Sequence, residues 1–79
     1  MSIIKVMLAM YDSGINCSIQ TIYNIGFDIS IGDYIGGHIA NKIFELSEID
    51  SAAQWLYEKS CHIFPESDFA KLSFEDIVK

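Results

Sequence analysis

Gly26-Phe27-Asp28-Ile29-Ser30-Ile31-Gly32-Asp33-Tyr34-Ile35 alternates apolar and polar side chains between glycines. Phe27, Ile29 and Ile31 fall on one parity, Asp28 and Ser30 on the other. Successive side chains leave a strand on opposite faces, so this pattern predicts a half-buried β-strand. On its N-terminal side, Ile15, Cys17, Ile19, Thr21 and Tyr23 alternate with Asn16, Ser18, Gln20 and Ile22, a second strand over 15–23. Asn24-Ile25-Gly26 supplies the turn between the two. On its C-terminal side, Gly32-Asp33-Tyr34-Ile35-Gly36-Gly37 reads as a loop into a third strand over about 38–45, with Ala40 and Phe44 inward and Lys42 between them. Short connections between three successive strands make an antiparallel meander.

Helices flank this meander. Ser47-Glu48-Ile49-Asp50 starts one over 48–63, with Ser47 as cap and Ile49, Ala52, Ala53, Leu56 and Ser60 in one stripe. Pro65 ends it near residue 63, because the residue before proline avoids helical geometry. Residues 3–12 carry Ile4, Met7, Leu8 and Tyr11 at helical spacing, and Gly14-Ile15 suits a Schellman ending. Ile4, Val6, Leu8 and Met10 also alternate, so a strand is the rival reading and the helix is preferred. Ser67-Asp68-Phe69 and Ser73-Phe74-Glu75-Asp76-Ile77 read as capped turns anchored by Phe69, Leu72, Phe74 and Ile77. The expected fold is one α+β domain over 1–79: a three-stranded antiparallel β-meander with helices on one face, in α-β-β-β-α order. Phe27, Ile29, Ile31, Ile19, Cys17, Leu56 and Ala53 form the expected core.

Eleven carboxylates stand against five lysines and no arginine, for a net charge of −6. Residues 45–79 hold Glu45, Glu48, Asp50, Glu58, Glu66, Asp68, Glu75 and Asp76 against Lys59, Lys71 and Lys79, so the acidity gathers after residue 44. Direct nucleic-acid binding is disfavoured, since phosphates must be neutralised by lysine or arginine. A basic protein partner is favoured instead. The apolar run Ile3–Met10 is too short to span a bilayer, which takes about 20 residues, and no cleavage site follows it, so a cytoplasmic location is expected. Hydrophobic residues make up 51% of the chain. In so small a domain that leaves either ordinary exposed apolar surface or an interface, for self-association or for a target.

Little here carries chemistry. Cys61 and His62 are adjacent on a helix, so their side chains diverge by about 100°, and a Cys–His pair would need His38 to reach Cys61. No spacing suits zinc. Gly32, Gly36 and Gly37 lack the helix N-terminus and lysine of a phosphate cradle and read as turn glycines. Cys17 and Cys61 read as small buried hydrophobes, and His62 as a residue facing the negative end of its helix. No catalytic residue, cofactor or metal is expected, and the chain is read as not an enzyme.

The helix–strand–strand–strand–helix order resembles that of double-stranded-RNA-binding domains. Those hold phosphates with lysines at the start of the last helix. Ser47-Glu48-Ile49-Asp50-Ser51 is acidic there, so the likeness is one of shape alone. In its compact size, acidic balance, lack of a catalytic motif, and run Ile49-Asp50-Ser51-Ala52-Ala53-Gln54-Trp55-Leu56-Tyr57-Glu58 after a strand meander, the chain also resembles small phage-encoded inhibitors of the anti-CRISPR type. That resemblance implies a cytoplasmic phage protein that blocks a nucleic-acid-handling host defence complex through its acidic surface. The expected partner-binding residues are Asp33 and Tyr34 on the loop, and Glu48, Glu58, Glu66 and Asp68 along the helical side. The alternative is a homo-oligomeric structural or regulatory subunit, a homodimer for example, with no inhibitory role.

Overall fold

A computed structural model describes residues 2–33 and 37–79, the side chains of Asp33 and His38 excepted. The elements are α1 (Ser2–Asp12), β1 (Cys17–Ile22), β2 (Gly26–Asp33), β3 (Gly37–Glu45), α2 (Ile49–Ile63) and α3 (Phe74–Val78). Short 3-10 turns at Leu46–Glu48 and Phe69–Lys71 join them. The fold is the expected α+β arrangement, and the sheet has the order β1-β2-β3 with both pairings antiparallel.

The alternation in β2 fixes the register. Ile19 lies opposite Ile29 and Cys17 opposite Ile31 on one side, while Ile31 faces Ala40 and Phe27 faces Phe44 on the other. Ile29 and Ile31 are fully buried beneath the helices, together with Phe44, Ala52, Ala53 and Leu56. Phe27, Ile19 and Cys17, also expected in the core, are only partly buried against its margin. Cys17 and Ile19 lie on edge strand β1, and Phe27 sits at the end of β2, where fewer neighbours cover them. Trp55 meets Phe44 edge-on with ring centroids 5.6 Å apart, and the Lys42 ammonium lies 5.2 Å from the Phe44 ring centroid. The far face of the sheet is mixed, with Ile43 exposed opposite Asp28 beside a polar group. There Asn41 donates to Ser30 Oγ at 2.9 Å and to the Asp28 carboxylate.

Residues 2–12 are helical, which settles helix against strand. The Schellman ending is present: Gly14 has φ +76°, its N–H donates to the Tyr11 carbonyl at 3.1 Å, and the Ile15 N–H reaches the Met10 carbonyl at 2.9 Å. The buried face of α1 differs from the stripe that spacing suggested. Ile3, Val6 and Met10 are buried, whereas Ile4, Leu8 and Tyr11 are exposed. Only Ser2, Lys5 and Asp12 of this helix are not hydrophobic, so periodicity leaves its rotation undetermined. Burial of Ile3, Val6 and Met10 follows from packing on α2, where Ser60 Oγ donates to Met10 Sδ at 3.7 Å.

Ser47 does not cap α2 as expected. It lies inside the 3-10 turn, which is closed by Glu48, whose Oε1 accepts the Glu45 N–H at 2.9 Å. A 3-10 turn ahead of the helix moves the chain's entry two residues back, so a glutamate takes over. The stop at Pro65 is as expected: α2 ends at Ile63, and the Phe64 N–H bonds the Ser60 carbonyl at 2.9 Å. Both tail turns are capped by serine. The Ala70 N–H donates to Ser67 Oγ and the Asp76 N–H to Ser73 Oγ, each at 3.2 Å. Lys5 Nζ then donates to the carbonyls of Val78 and Lys79, at 3.2 and 2.9 Å, tying α3 to α1.

Tyr57 joins α2 to this tail. Its ring packs on Phe69 and Phe74, each at 5.5 Å, and its hydroxyl donates to the Leu72 carbonyl at 2.6 Å. Burial pushes the Cys17 thiol above its usual 9.0. Burial, followed by the neighbouring Cys61 thiol, pushes the Tyr57 phenol above its usual 10.0. Both groups therefore keep, when folded, a proton that the unfolded chain releases once pH passes those usual values. Their contribution is unchanged below pH 9.0, and stability is lost as pH rises beyond it. Tyr57→Phe should cost about 1 kcal/mol near neutrality, for the lost hydrogen bond. It should also flatten the alkaline decline above pH 10.0. Urea melts across the alkaline range check this, and a variant that declines as steeply as the parent would contradict it.

Candidate functional site

A turn and a junction meet at one end of the sheet. The β1–β2 turn is Tyr23-Asn24-Ile25, closed by the Ile25 N–H on the Ile22 carbonyl at 3.0 Å, with Asn24 at φ +66°. Asparagine tolerates that left-handed geometry better than most residues do. Gly26 follows, and the β3–α2 junction runs directly across it. A Cβ at Gly26 would lie 2.2 Å from the Phe44 carbonyl oxygen and 2.8 Å from the Leu46 nitrogen. Only glycine lets the two backbones approach this closely, and their approach sets Leu46 beside Ile25.

The result is an apolar tip. Tyr23 is 93% exposed, Leu46 70% and Ile25 52%. Asn24, Ile25 and Leu46 line two adjoining shallow grooves, one extended by Glu45 and Ser47, the other by Ile22 and Tyr23. Turns are ordinarily polar, so three large apolar residues held in water need a reason. Their rim is acidic: Glu45, Glu48 and Asp50 are exposed at the same junction. Apolar anchors inside a charged rim are the ordinary anatomy of a protein–protein interface.

Four of the six residues expected to bind a partner, Glu48, Glu58, Glu66 and Asp68, fall among the described residues and are spread along α2 and beyond it. Tyr34 and the side chain of Asp33 lie outside the described residues. Glu48 closes the turn ahead of α2. Glu58 is exposed on α2 and accepts a hydrogen bond from Gln54 Nε2 at 2.8 Å. Glu66 is exposed beyond the helix, and Asp68 pairs with Lys71 at 3.6 Å across a fully solvated surface. Fifteen residues of α2 rise about 22 Å, several Debye lengths at physiological salt, so the two ends of this series are screened from one another. Glu45, which lines a groove with Ile25 and Leu46, is the acid beside the apolar tip, and Glu58 lines neither groove.

The other polar groups do not converge. Cys17 and Cys61 are partly buried free thiols, and His62 is exposed in the last turn of α2. The His38 side chain lies outside the described residues. Among the described residues, no three His, Cys, Asp or Glu side chains are grouped to hold a metal ion, and no helix is long and apolar enough to cross a membrane. Tyr23 and Ile25 escaped the sequence reading because they were assigned to a strand end and a turn, and Leu46 because it falls between the third strand and the helix cap. The signal was there in Ile22-Tyr23-Asn24-Ile25, a hairpin loop with one polar residue in four. The chain matches no protein-family model, no curated protein and no solved structure.

Proposed function

We propose that this chain is a non-enzymatic binding protein that docks its apolar tip on a basic, nucleic-acid-handling protein complex and blocks it, as a cytoplasmic inhibitor of the anti-CRISPR type would. The observation that carries the reading is the exposure of Tyr23, Ile25 and Leu46 beside Glu45, Glu48 and Asp50. Tyrosine suits the anchor role because it offers large contact area at small entropic cost. The acids at the rim stand where phosphates of the displaced nucleic acid would lie. Glu58, Glu66 and Asp68, farther along, add to the −6 field that draws a basic partner in.

The two groups of residues should fail differently. Tyr23→Ala and Leu46→Ala should each weaken binding by about 2 kcal/mol or more, chiefly through faster dissociation, with little change in melting temperature. Reversing Glu58 and Glu66 together to lysine should slow association, and the effect should fade as salt is raised. The deciding experiment recovers the partner from a bacterial lysate on immobilised protein, identifies it by mass spectrometry, and then titrates nucleic acid into the purified complex. Mutual displacement is expected. Simultaneous binding of nucleic acid and this protein overturns the blocking role, and full binding by the Tyr23→Ala/Leu46→Ala double variant overturns the tip as the docking surface.

A further inference from the structure

A second surface lies at the opposite end of β1 from the tip. Along α1, Ile4, Leu8 and Tyr11 are 51%, 59% and 80% exposed, at the i, i+4, i+7 spacing of a single stripe. A helix apolar on all sides is normally buried on all sides. Here α2 and α3 cover the Ile3, Val6 and Met10 side, Met7 and Ala9 are partly buried beside it, and water meets the stripe.

The charges beside this stripe indicate what covers it. Lys5 and Asp12 are seven residues apart, so they sit on the same flank of the stripe, about 10.5 Å apart along the axis. When two copies of one helix pack antiparallel about a twofold axis, like flanks meet. With the axis at Leu8, Lys5 of each copy comes within one residue's rise, about 1.5 Å, of the level of Asp12 of the other, and Ile4 likewise of Tyr11. In a parallel pair unlike flanks meet, so Lys5 and Asp12 of one copy would face the uncharged flank of the other and form no such pairs. The groove beside the stripe is neutral as well: Lys5 and Lys79 offset Asp12 and Asp76 around Leu8 and Leu72. In a chain of net charge −6, two copies can approach here without the repulsion that the acidic region after residue 44 would impose. Lys5 remains able to take part, because its ammonium has three protons and the Val78 and Lys79 carbonyls use two.

We infer that a second copy of this chain covers the exposed α1 stripe, in an antiparallel twofold dimer centred on Leu8 with reciprocal Lys5–Asp12 pairs. The dimer leaves both apolar tips free, so it presents two docking surfaces. It does not depend on the proposed inhibitory role, since it concerns a different face.

Light scattering after size exclusion, over a range of protein concentrations, should give twice the mass of one chain. Leu8→Glu opposes two carboxylates at the axis and should raise the dissociation constant about 100-fold or more. Circular dichroism should show the variant folded, because the site is exposed in the single chain; Tyr11→Lys is the second variant should Leu8→Glu fold poorly. Lys5→Glu and Asp12→Lys should each weaken the dimer, and the double swap Lys5→Glu/Asp12→Lys should restore it relative to either alone. A monomer at every concentration overturns the inference. So does a dimer that survives both folded stripe variants, or a double swap no tighter than the single ones.

Discussion

Gly26→Ala should destabilise the fold by about 3 kcal/mol or more, out of proportion to the single methyl group it adds. Two costs coincide at this residue. Its φ of +147° is one that side chains with a Cβ rarely adopt. The added Cβ would also fall 2.2 Å from a backbone oxygen and 2.8 Å from a backbone nitrogen, neither of which can rotate aside as a flexible side chain would. Relief would require β3 and the Leu46 junction to move off β2, and β2 is the central strand. Gly14→Ala separates the two costs. Gly14 has φ +76° but open space where its Cβ would go, so it should lose only about 1–2 kcal/mol. Denaturant melts of the two variants side by side make the measurement. Equal losses would mean that backbone conformation alone explains Gly26. Because the same approach sets Leu46 beside Ile25, Gly26→Ala should also disturb the apolar tip, even in molecules that remain folded.

The sheet was legible because its signal has a period of two and a fixed phase. Ile29 and Ile31 face the core, and a slip of one residue would turn Asp28 and Ser30 inward. Helix α2 was legible from its stripe and from Pro65, and the end of α1 from Gly14-Ile15. The rotation of α1 was not, since a helix hydrophobic on nearly every side offers no contrast for periodicity to read. The start of α2 lies within one residue of the expected 48, but its cap differs for another reason. Ser47 is a good cap by residue type, but the 3-10 turn hands the closing bond to Glu48, and nothing local in the sequence distinguishes the two outcomes.

Of the candidate site, only the acidity of the surrounding residues was legible in the sequence. Net charge directs attention to the carboxylates after residue 44. It could not show that Glu48 is occupied in closing a turn, or that Asp68 is paired with Lys71. The apolar tip joins residues about twenty positions apart, Tyr23 and Ile25 with Leu46, and its assembly depends on the close approach at Gly26. Composition announces an excess of apolar surface; only the fold says where it is concentrated. Two such concentrations, the acid-rimmed tip and the neutral α1 stripe, hold most of it, and Ile39 and Ile43 on β3 expose the rest apart from Leu72.

Phe69→Ala should remove about 3–5 kcal/mol, a large share of the 5–15 kcal/mol typical of a natural domain. Phe69 is the largest fully buried side chain, yet it belongs to a three-residue 3-10 turn in the tail. It packs on Tyr57, which packs in turn on Phe74, so one aromatic row connects α2, the turn and α3. The segment after Pro65 has no other fully buried side chain: Phe74, Ile77 and Val78 are only partly buried against the core. Its capping bonds at Ser67 and Ser73 are local, and the Lys5 ties to Val78 and Lys79 are exposed. Truncation leaves a cavity against α2 and frees the tail together. In a domain of this size a 3 kcal/mol loss lowers the melting temperature by roughly 12 °C or more. Leu72→Ala is the contrast: Leu72 is 42% exposed and should cost well below half as much. Calorimetry on both variants measures the difference. Hydrogen exchange then locates it, with amides of α3 expected to lose protection in Phe69→Ala beyond the change in β2. A uniform loss across the chain would mean that the tail is not held chiefly by this ring, and a melting temperature within a few degrees of the parent would remove Phe69 from the core altogether.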